Sequence, residues 1–244
     1  IMESEQERER LIQLQLQMRS RIDNTPHLSK FRYVGGADLT EQDDMFVGCF
    51  VVVDCDDDLK VVYEKCTEMR VDVPYFSGLL GFREGPVVLA LYEEFCRNCP
   101  EIKLDVLITD GSGEWHPRAF GLACYVGYHL QIPTIGLFKN FLYIDSGHDR
   151  KAVIQEANEK CQEIGDVIIL SHELPNGPKV RCAVMRTTKS EPFRPIFFSA
   201  GNLIDLESCI EVMKIVCRFR EPEPVRLADR VSREYIRNKK NSNE

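Results

Sequence analysis

Several features that define other classes of protein are missing from this chain of 244 residues. It has no apolar run approaching the ~20 residues that span a bilayer, no secretory signal segment, and no internal repeat or low-complexity tract. We therefore expect one large α/β domain with no membrane partner. We expect it in a reducing compartment, namely the cytoplasm, with the nucleus or nucleolus as alternatives.

The chain also has no excess of Lys and Arg over Asp and Glu. The formal net charge is −8, which argues against a protein that coats nucleic acid non-specifically but leaves room for a local patch. Residues 214–240 contain nine Lys or Arg against four Asp or Glu. Composition alone favours an ordinary solvated helix face there.

The ten cysteines lack the spacing of a zinc site. Cys96 and Cys99 form the sole CxxC pair, and no second pair or His pair completes a tetrahedral set. The pair falls at the predicted C-terminal end of a helix, whereas a reactive thiol favours a helix N-terminus. Six others lie in apolar runs, where we expect them to be reduced core residues: Cys49, Cys66, Cys124, Cys182, Cys209 and Cys217.

Hydrophobic patterning predicts a mixed sheet with helices on both faces. Residues 1–29 are expected to form a helical extension packed on a domain of residues 30–240, followed by a tail of residues 241–244. Strands are predicted at Tyr33–Leu39, Phe46–Asp54, Lys60–Val71, Val106–Thr109, Pro133–Phe138, Val167–Leu170, Lys179–Arg186 and Ile196–Ser199. Helices are predicted at residues 3–22, at Val87–Phe95 after Gly85-Pro86, over about 118–130, at Leu203–Cys217 and from near Val225. Residues 145–165 are predicted to be irregular or weakly helical.

Two acidic residues border apolar runs, where an unpaired carboxylate is costly. Asp110 ends a predicted buried strand and is followed by Gly111-Ser-Gly113. Its carboxylate should therefore face the crevice where open α/β sheets bind ligands. Asp38 lies within a β-like run, where aspartate is disfavoured and needs a partner.

Two further acidic residues have ordinary alternatives. Glu84 follows Arg83 and is equally consistent with a surface pair or with an acid in the first turn of a helix. Asp229 lies on a basic helix, within reach of Arg226 and Arg233 for a simple ion pair. As a set, however, the four carboxylates are the oxygen ligands that Mg²⁺ prefers, and two such ions can clamp a phosphodiester. The sequence therefore predicts a metal-dependent nuclease.

Five segments resemble the endonuclease V family of the RNase H-like nuclease superfamily, and the resemblance covers roughly residues 30–238. They are Val34-Gly-Gly-Ala-Asp-Leu-Thr40, Pro74-Tyr-Phe-Ser-Gly-Leu-Leu-Gly-Phe-Arg-Glu84, Asp110-Gly-Ser-Gly-Glu-Trp-His-Pro-Arg118, Pro133-Thr-Ile-Gly-Leu-Phe-Lys139 and Arg220-Glu-Pro-Glu-Pro-Val-Arg-Leu-Ala-Asp-Arg-Val-Ser-Arg-Glu234.

The resemblance implies hydrolysis of the second phosphodiester bond 3′ to inosine, leaving 3′-hydroxyl and 5′-phosphate ends. It implies that Asp38 and Asp110 are the core Mg²⁺ ligands, with Mn²⁺ as a substitute, and that Glu84 and Asp229 complete the cluster. Lys139 would hold the scissile phosphate or steady its developing charge.

The resemblance also implies a pocket for an extruded base, lined by Gly78, Leu80, Gly111, Gly113, His116 and Gly121. Tyr75 matches the family's wedge aromatic, which stacks where the extruded base had been. As a bare sequence feature, Pro74-Tyr75 more often indicates core packing.

Three departures from the family pattern bear on the substrate. Ser112 and Phe138, beside the implied pocket, differ from the residues that are usual at these positions in the family. Serine at position 77 resembles the pattern of the animal branch of the family, which prefers inosine in single-stranded RNA. A repair nuclease for deoxyinosine in DNA is the closest rival. A binding module without cleavage is disfavoured because all four carboxylates and Lys139 are present, and a thiol oxidoreductase using Cys96 and Cys99 ranks last.

Overall fold

The computed structural model describes residues 2–42, 45–175 and 177–242, which form eight strands and six helices. The strands are β1 Tyr33–Gln42, β2 Met45–Asp54, β3 Lys60–Arg70, β4 Val106–Asp110, β5 Thr134–Phe138, β6 Val167–Glu173, β7 Lys179–Met185 and β8 Ile196–Asn202. The helices are α1 Met2–Arg19, α2 Leu80–Asn98, α3 Leu122–Leu130, α4 Arg150–Lys160, α5 Leu206–Val216 and α6 Glu223–Ser242. Within these ranges, none of the helices has the length and apolar character needed to cross a bilayer.

All eight strands belong to one mixed sheet in the order β3-β2-β1-β4-β5-β8-β7-β6. The central strands β1, β4 and β5 run parallel, and the remaining pairs are antiparallel. The β4–α3–β5 unit is a crossover between parallel strands. Because helices cover both faces of the sheet, the predicted fold class is confirmed.

The two faces of the sheet have separate cores. Side chains of α5 and α6 cover one face together with alternate residues of the central strands. Side chains of α1, α2 and α3 cover the other. Helix α4 packs with β6, β7 and the buried Trp115 in a third cluster. The predicted N-terminal helix therefore contributes to the core, since Leu11 and Met18 are buried. At the other end of the chain, α6 runs to Ser242, and residues 243 and 244 of the predicted tail lie outside the described residues.

Two helices differ from their predictions. Helix α2 begins at Leu80, so Pro86 lies inside it rather than before it. Proline breaks one backbone hydrogen bond, but the helix continues because its apolar face is buried from Phe82 to Phe95. The region predicted to be irregular or weakly helical contains a regular helix, α4, whose first turn is capped by Asp149 accepting from the Ala152 amide at 3.0 Å.

The prediction that Cys49 and Cys66 are reduced is wrong, because the structure joins them in a disulfide. They face each other directly in the antiparallel register of β2 and β3, with their Cα atoms 4.1 Å apart. That register is a tertiary property, which the spacing of 17 residues does not reveal. The cysteines at 124, 182, 209 and 217 are free and buried, as predicted.

The start of α6 lies directly against β1 at Gly36. A Cβ atom at Gly36 would collide with the backbone of Pro224 and Val225, which cannot move aside as a flexible side chain can. A Cβ atom at the neighbouring Gly35 would meet only the ends of Leu104 and Leu107, at 3.2 to 3.3 Å. Glycine at position 36 therefore allows α6 to pack close to the sheet.

We expect Gly36→Ala to lower the free energy of unfolding by about 1–3 kcal/mol, the usual cost of overpacking, because α6 must shift away from β1. Urea denaturation followed by circular dichroism measures this. The control is Gly35→Ala, which should have a clearly smaller effect. Equal losses in the two variants would show that the close approach of α6 is unimportant.

Candidate functional site

Two of the predicted acidic residues meet at the carboxyl edge of the parallel strands. In the parallel register of β1 and β4, Ala37 lies opposite Thr109, so Asp38 and Asp110 follow at the same level. The alternation of side chains places both carboxylates on the face covered by α6. Lys139 follows the end of β5, the next strand along. The sheet therefore brings together three side chains that are far apart in sequence.

Two helices bring the remaining acidic residues to the same edge. Glu84 lies in the second turn of α2, and its neighbour Arg83 pairs with Glu41 rather than with Glu84. Asp229 on α6 forms the ion pair with Arg233 that its spacing allows, at 2.9 Å. Its charge nevertheless acts on Asp38 and Asp110. All four predicted carboxylates therefore belong to one electrostatic cluster.

The carboxylates raise one another's pKa values. Burial raises the pKa of Asp38 to about 7, and repulsion from Asp110 and Asp229 adds to this effect. Burial likewise raises the pKa of Glu84 to about 8, with repulsion from Asp110 and Asp38. The pKa of Asp110 is also raised, chiefly by burial and in opposition to Lys139. The cluster thus holds more negative charge than its own cations neutralise.

Lys139 lies between two carboxylates. Its Nζ atom is 3.3 Å from Asp110 Oδ2 and 3.1 Å from Glu221 Oε2. Burial lowers its pKa, but Asp110 and Glu221 outweigh that effect and the net shift is upward. Lys139 is therefore a fixed cation at the site. Sequence reasoning missed Glu221, and the one available signal was its place in the matched Glu221-Pro-Glu-Pro224 tract.

Ser232 and Arg220 were also missed. The buried Ser232 hydroxyl lies 2.9 Å from the Asp229 carbonyl oxygen and 3.4 Å from Asp38 Oδ2, and its single proton can be donated to either. This contact ties α6 to β1 at the cluster. Arg220 donates to the Lys139 carbonyl at 3.2 Å. No ion pair among the described residues includes Arg220, so its guanidinium has charge available beside Lys139. Both residues lie in the matched C-terminal segment.

The donor set suits a hard divalent cation. Within the described residues, no three acidic, histidine or cysteine side chains converge closely enough to form a complete metal site by themselves. Mg²⁺ does not require such a cage, because it keeps several waters and binds through one or two carboxylates. Burial, with a smaller contribution from repulsion, raises the pKa values of Asp38 and Asp110, so these are the groups whose negative charge a cation would compensate. The residues present therefore fit the predicted metal.

A cavity of about 330 Å³ lies beside the acidic cluster. Its lining includes the predicted Tyr75, Gly78, Leu80, His116 and Gly121. Ser112 and Phe138, the departures expected to flank the pocket, line it as well, and so do Asn140, Phe141 and Leu142, which were not predicted. These last three follow β5, and the Leu142 carbonyl accepts from Trp115 Nε1 at 3.0 Å.

Gly111 and Gly113 lie outside the lining of this cavity. A Cβ atom on Gly111 would meet Leu122, and one on Gly113 would collide with the backbone of β8 at Ala200. These glycines let the loop after β4 pack closely between α3 and β8. These two glycines therefore contribute to the cavity indirectly, by positioning Ser112 and His116.

Tyr75 and His116 differ in environment. The Tyr75 ring is 67% exposed, which contradicts the core-packing alternative and leaves one edge of the cavity with a free aromatic face. His116 is buried, and burial lowers its pKa to about 3, with the charge of Arg118 acting in the same direction. Its ring is therefore neutral at physiological pH.

The other sequence candidates contribute little to this site. In α6, Arg226 pairs with Glu223 and Lys239 with Glu68, so much of the predicted basic patch is neutralised locally. Cys96 and Cys99 are free thiols at the C-terminal end of α2. Burial and Glu101 raise the pKa of Cys99, which is opposite to what an activated thiol requires.

Comparisons with known proteins find the same family that the sequence motifs resemble. The family model for endonuclease V matches residues 16–230. Human endonuclease V is 35% identical over 214 residues, which cover 87% of this chain and 74% of that protein. Endonuclease V of Dictyoglomus thermophilum is 34% identical over 229 residues, covering 93% and 90%.

Two crystal structures are similar to this chain over nearly its whole length. The structure of human endonuclease V has a TM-score of 0.84 at 30% identity, covering 94% of this chain and 98% of that chain. Endonuclease V of Ciona intestinalis, in complex with a 24mer DNA containing an inosine followed by a ribo-adenosine, has a TM-score of 0.86 at 26% identity, covering 96% and 99%.

The raised pKa values predict how stability depends on pH without metal. Asp38 and Glu84 keep their protons to about pH 7 and 8 in the folded state, whereas in the unfolded chain they ionise near pH 4. The unfolded state therefore binds fewer protons between these values, and stability falls as pH rises from about 4 through 8. The expected loss is on the order of 1–3 kcal/mol for each carboxylate.

Thermal melts in EDTA at pH 5.5, 7 and 8.5 check this expectation. The melting temperature should fall with pH more steeply in the wild type than in Glu84→Gln, and added Mg²⁺ should restore it at pH 8.5 in the wild type. Glu93→Gln, a change at an exposed position of the same helix, is the control and should follow the wild type. Parallel curves for the wild type and Glu84→Gln would contradict the prediction.

Proposed function

The chain belongs to the endonuclease V family, and from this premise we propose that it is a Mg²⁺-dependent endonuclease acting on inosine in single-stranded RNA. It would hydrolyse the second phosphodiester bond 3′ to inosine and leave 3′-hydroxyl and 5′-phosphate ends. Mn²⁺ would substitute for Mg²⁺. Family membership carries the coarser statement that the chain is a nuclease.

The observation that carries the proposal is the position of the acidic cluster beside the cavity. Ser112 comes two residues after Asp110, and Phe138 and Asn140 flank Lys139, and all three line the cavity. A base held in the cavity would leave its backbone near the carboxylates. Recognition and hydrolysis would occur at neighbouring positions on one nucleotide strand.

The residues of the chain have separate roles in the proposed reaction. Asp38 and Asp110 would hold Mg²⁺, with Glu84 and Asp229 completing the acidic environment. The bound ion would lower the pKa of an attacking water and neutralise charge on the phosphate. Lys139 would exchange its contact with Glu221 or Asp110 for a phosphate oxygen. Arg220, beside the Lys139 carbonyl, would bind a neighbouring phosphate.

The cavity suits a base removed from the stack. Its volume of about 330 Å³ lies within the range of small-molecule sites, and its glycines allow backbone groups to approach the base. The exposed Tyr75 ring at its edge would stack where the base had been, a contact worth ~1–3 kcal/mol. An enzyme that reads a base edge must extrude that base first.

Two points favour RNA over DNA. Ser77 lies in the cavity lining, and serine at this position resembles the pattern of the animal branch of the family. In addition, the DNA bound by the Ciona relative carries a ribo-adenosine directly after the inosine. That nucleotide would supply the 3′-hydroxyl after cleavage at the second bond, so its 2′-hydroxyl would lie next to the reacting phosphate. Repair of deoxyinosine in DNA is the second candidate, because that same ligand is otherwise DNA.

A cleavage assay with Mg²⁺ tests the proposal on matched single-stranded RNA and DNA 24mers, each with one inosine or deoxyinosine and adenosine controls. We expect faster cleavage of RNA, one nucleotide 3′ to inosine. Asp110→Asn should abolish cleavage while leaving inosine-RNA binding within about threefold, since it removes a metal ligand and not the cavity.

The alternatives give different results in the same assay. Faster cleavage of deoxyinosine DNA would identify a repair nuclease. Tight inosine-specific binding without cleavage would identify a binding module. Undiminished turnover by Asp110→Asn would remove Asp110 from the catalytic site.

Tyr75→Ala should weaken inosine-RNA binding by about 5- to 150-fold, the equivalent of one lost base-stacking contact, and leave the melting temperature nearly unchanged because the ring is exposed. Fluorescence anisotropy in Ca²⁺ or EDTA measures binding without turnover. Tyr75→Phe should retain most of the affinity. Tyr235→Ala, which removes another exposed ring far along α6, is the control. A large loss of stability in Tyr75→Ala would restore the core-packing interpretation.

A further inference from the structure

Two side chains donate hydrogen bonds to the carbonyl oxygen of Gly78. Gln15 Nε2 lies 3.0 Å from it and Arg118 Nη2 lies 2.7 Å from it. Gly78 has a φ of +76°, and a Cβ there would lie 2.7 Å from Arg118 Nη2. The backbone at Gly78 is therefore turned toward these donors in a conformation that favours glycine.

Gln15 connects this carbonyl to a second part of the chain. The same Nε2 atom donates to the Phe120 carbonyl at 2.7 Å, and its Oε1 atom accepts from Arg118 Nε. Gln15 is only 2% exposed, although most of the polar side chains of its helix are exposed. Both hydrogen-bonding groups of its amide are thus used, and water does not compete for them.

The two carbonyls belong to different walls of the cavity. Gly78 lies in the segment between β3 and α2 that also carries Tyr75, whereas Phe120 lies between β4 and α3, and both residues line the cavity. His116, in the second wall, accepts from the Arg118 amide through Nδ1 at 3.1 Å. One amide from the N-terminal helix therefore joins two segments that are about 40 residues apart in sequence.

We infer that Gln15 is a positioning residue that sets the distance between these two walls and thereby determines which base the cavity accepts. This inference rests on the proposed function. Guanine differs from hypoxanthine by an exocyclic amino group. Discrimination against guanosine therefore requires that the two walls of the cavity keep their distance and do not move apart to admit that group. Without the Gln15 amide, the segment that carries Tyr75 and Gly78 keeps fewer ties to the wall at Phe120, and the cavity loosens.

The test uses Gln15→Met, which keeps the length of the side chain and removes its hydrogen bonds. Cleavage of single-stranded RNA containing inosine, guanosine or adenosine at one position gives the ratio of kcat/KM for inosine to that for guanosine. We expect the ratio to fall about tenfold or more, the scale on which small misplacements act. Gln15→Glu, which keeps the acceptor for Arg118 and loses both donors, should behave in the same way.

Leu11→Ala provides the matched control, because Leu11 is buried one turn earlier in the same helix and bonds to neither wall. It should lower the melting temperature without changing the ratio. Hydrogen–deuterium exchange adds a readout independent of activity. Gln15→Met should speed hydrogen exchange in residues 75–80 and 119–122 more than Leu11→Ala does, when the two variants are compared under conditions in which they have lost the same amount of stability.

The outcomes separate the two proposals. An unchanged ratio in Gln15→Met and Gln15→Glu, with a selective wild type, would overturn the role of Gln15 and leave the proposed function intact. An equal fall in Leu11→Ala would overturn it too, by showing that any loosening of α1 suffices. A wild type with no preference for inosine would overturn the proposed function, and the role of Gln15 with it.

Discussion

The burial of several carboxylates close together is the constraint on which the architecture of this site depends. Burial raises the pKa values of Asp38, Glu84 and Asp110, and repulsion from neighbouring carboxylates adds to it, so the folded chain holds these groups together at a cost in free energy. The surrounding structure is rigid enough to do so. Asp38 lies within β1 and Asp110 ends the adjacent parallel strand β4. Helix α6 packs against β1 with no room for a side chain at Gly36, and Lys139 and Ser232 bond directly to the carboxylates. A metal ion would convert that cost into affinity.

The sequence predicted the parts of the site that follow from strand position. Asp38 and Asp110 could be found because a carboxylate at the end of an apolar run is unusual and because parallel strands end at one edge of a sheet. The strand order was not predicted, since it depends on long-range pairing. The start of α2 was misplaced because Pro86 is a local signal for a helix N-terminus, whereas burial of the apolar face determined where the helix begins.

Residues that act through tertiary contacts had no signal of their own. Glu221 lies in a proline-rich tract and becomes significant only through its contact with Lys139. Gln15 is one of several glutamines in a charged helix, and nothing in its spacing separates it from its exposed neighbours. Cys49 and Cys66 resembled the four other cysteines of apolar runs until the register of β2 and β3 placed them opposite each other. In each case the missing information was which distant segment lies alongside.

The two halves of the site are stabilised in different ways, and this difference bears on how specificity arises. The carboxylates belong to strands and helices whose positions are determined by the packed core. The cavity is lined mostly by connecting segments, which are positioned by buried hydrogen bonds as well as by packing, among them the bonds of Gln15 and Trp115. Removing a core contact lowers stability throughout the domain, whereas removing one of these bonds loosens a single wall. Base selectivity should therefore be easier to change by substitution than the hydrolytic chemistry, because the cavity wall can shift while the sheet edge stays in place.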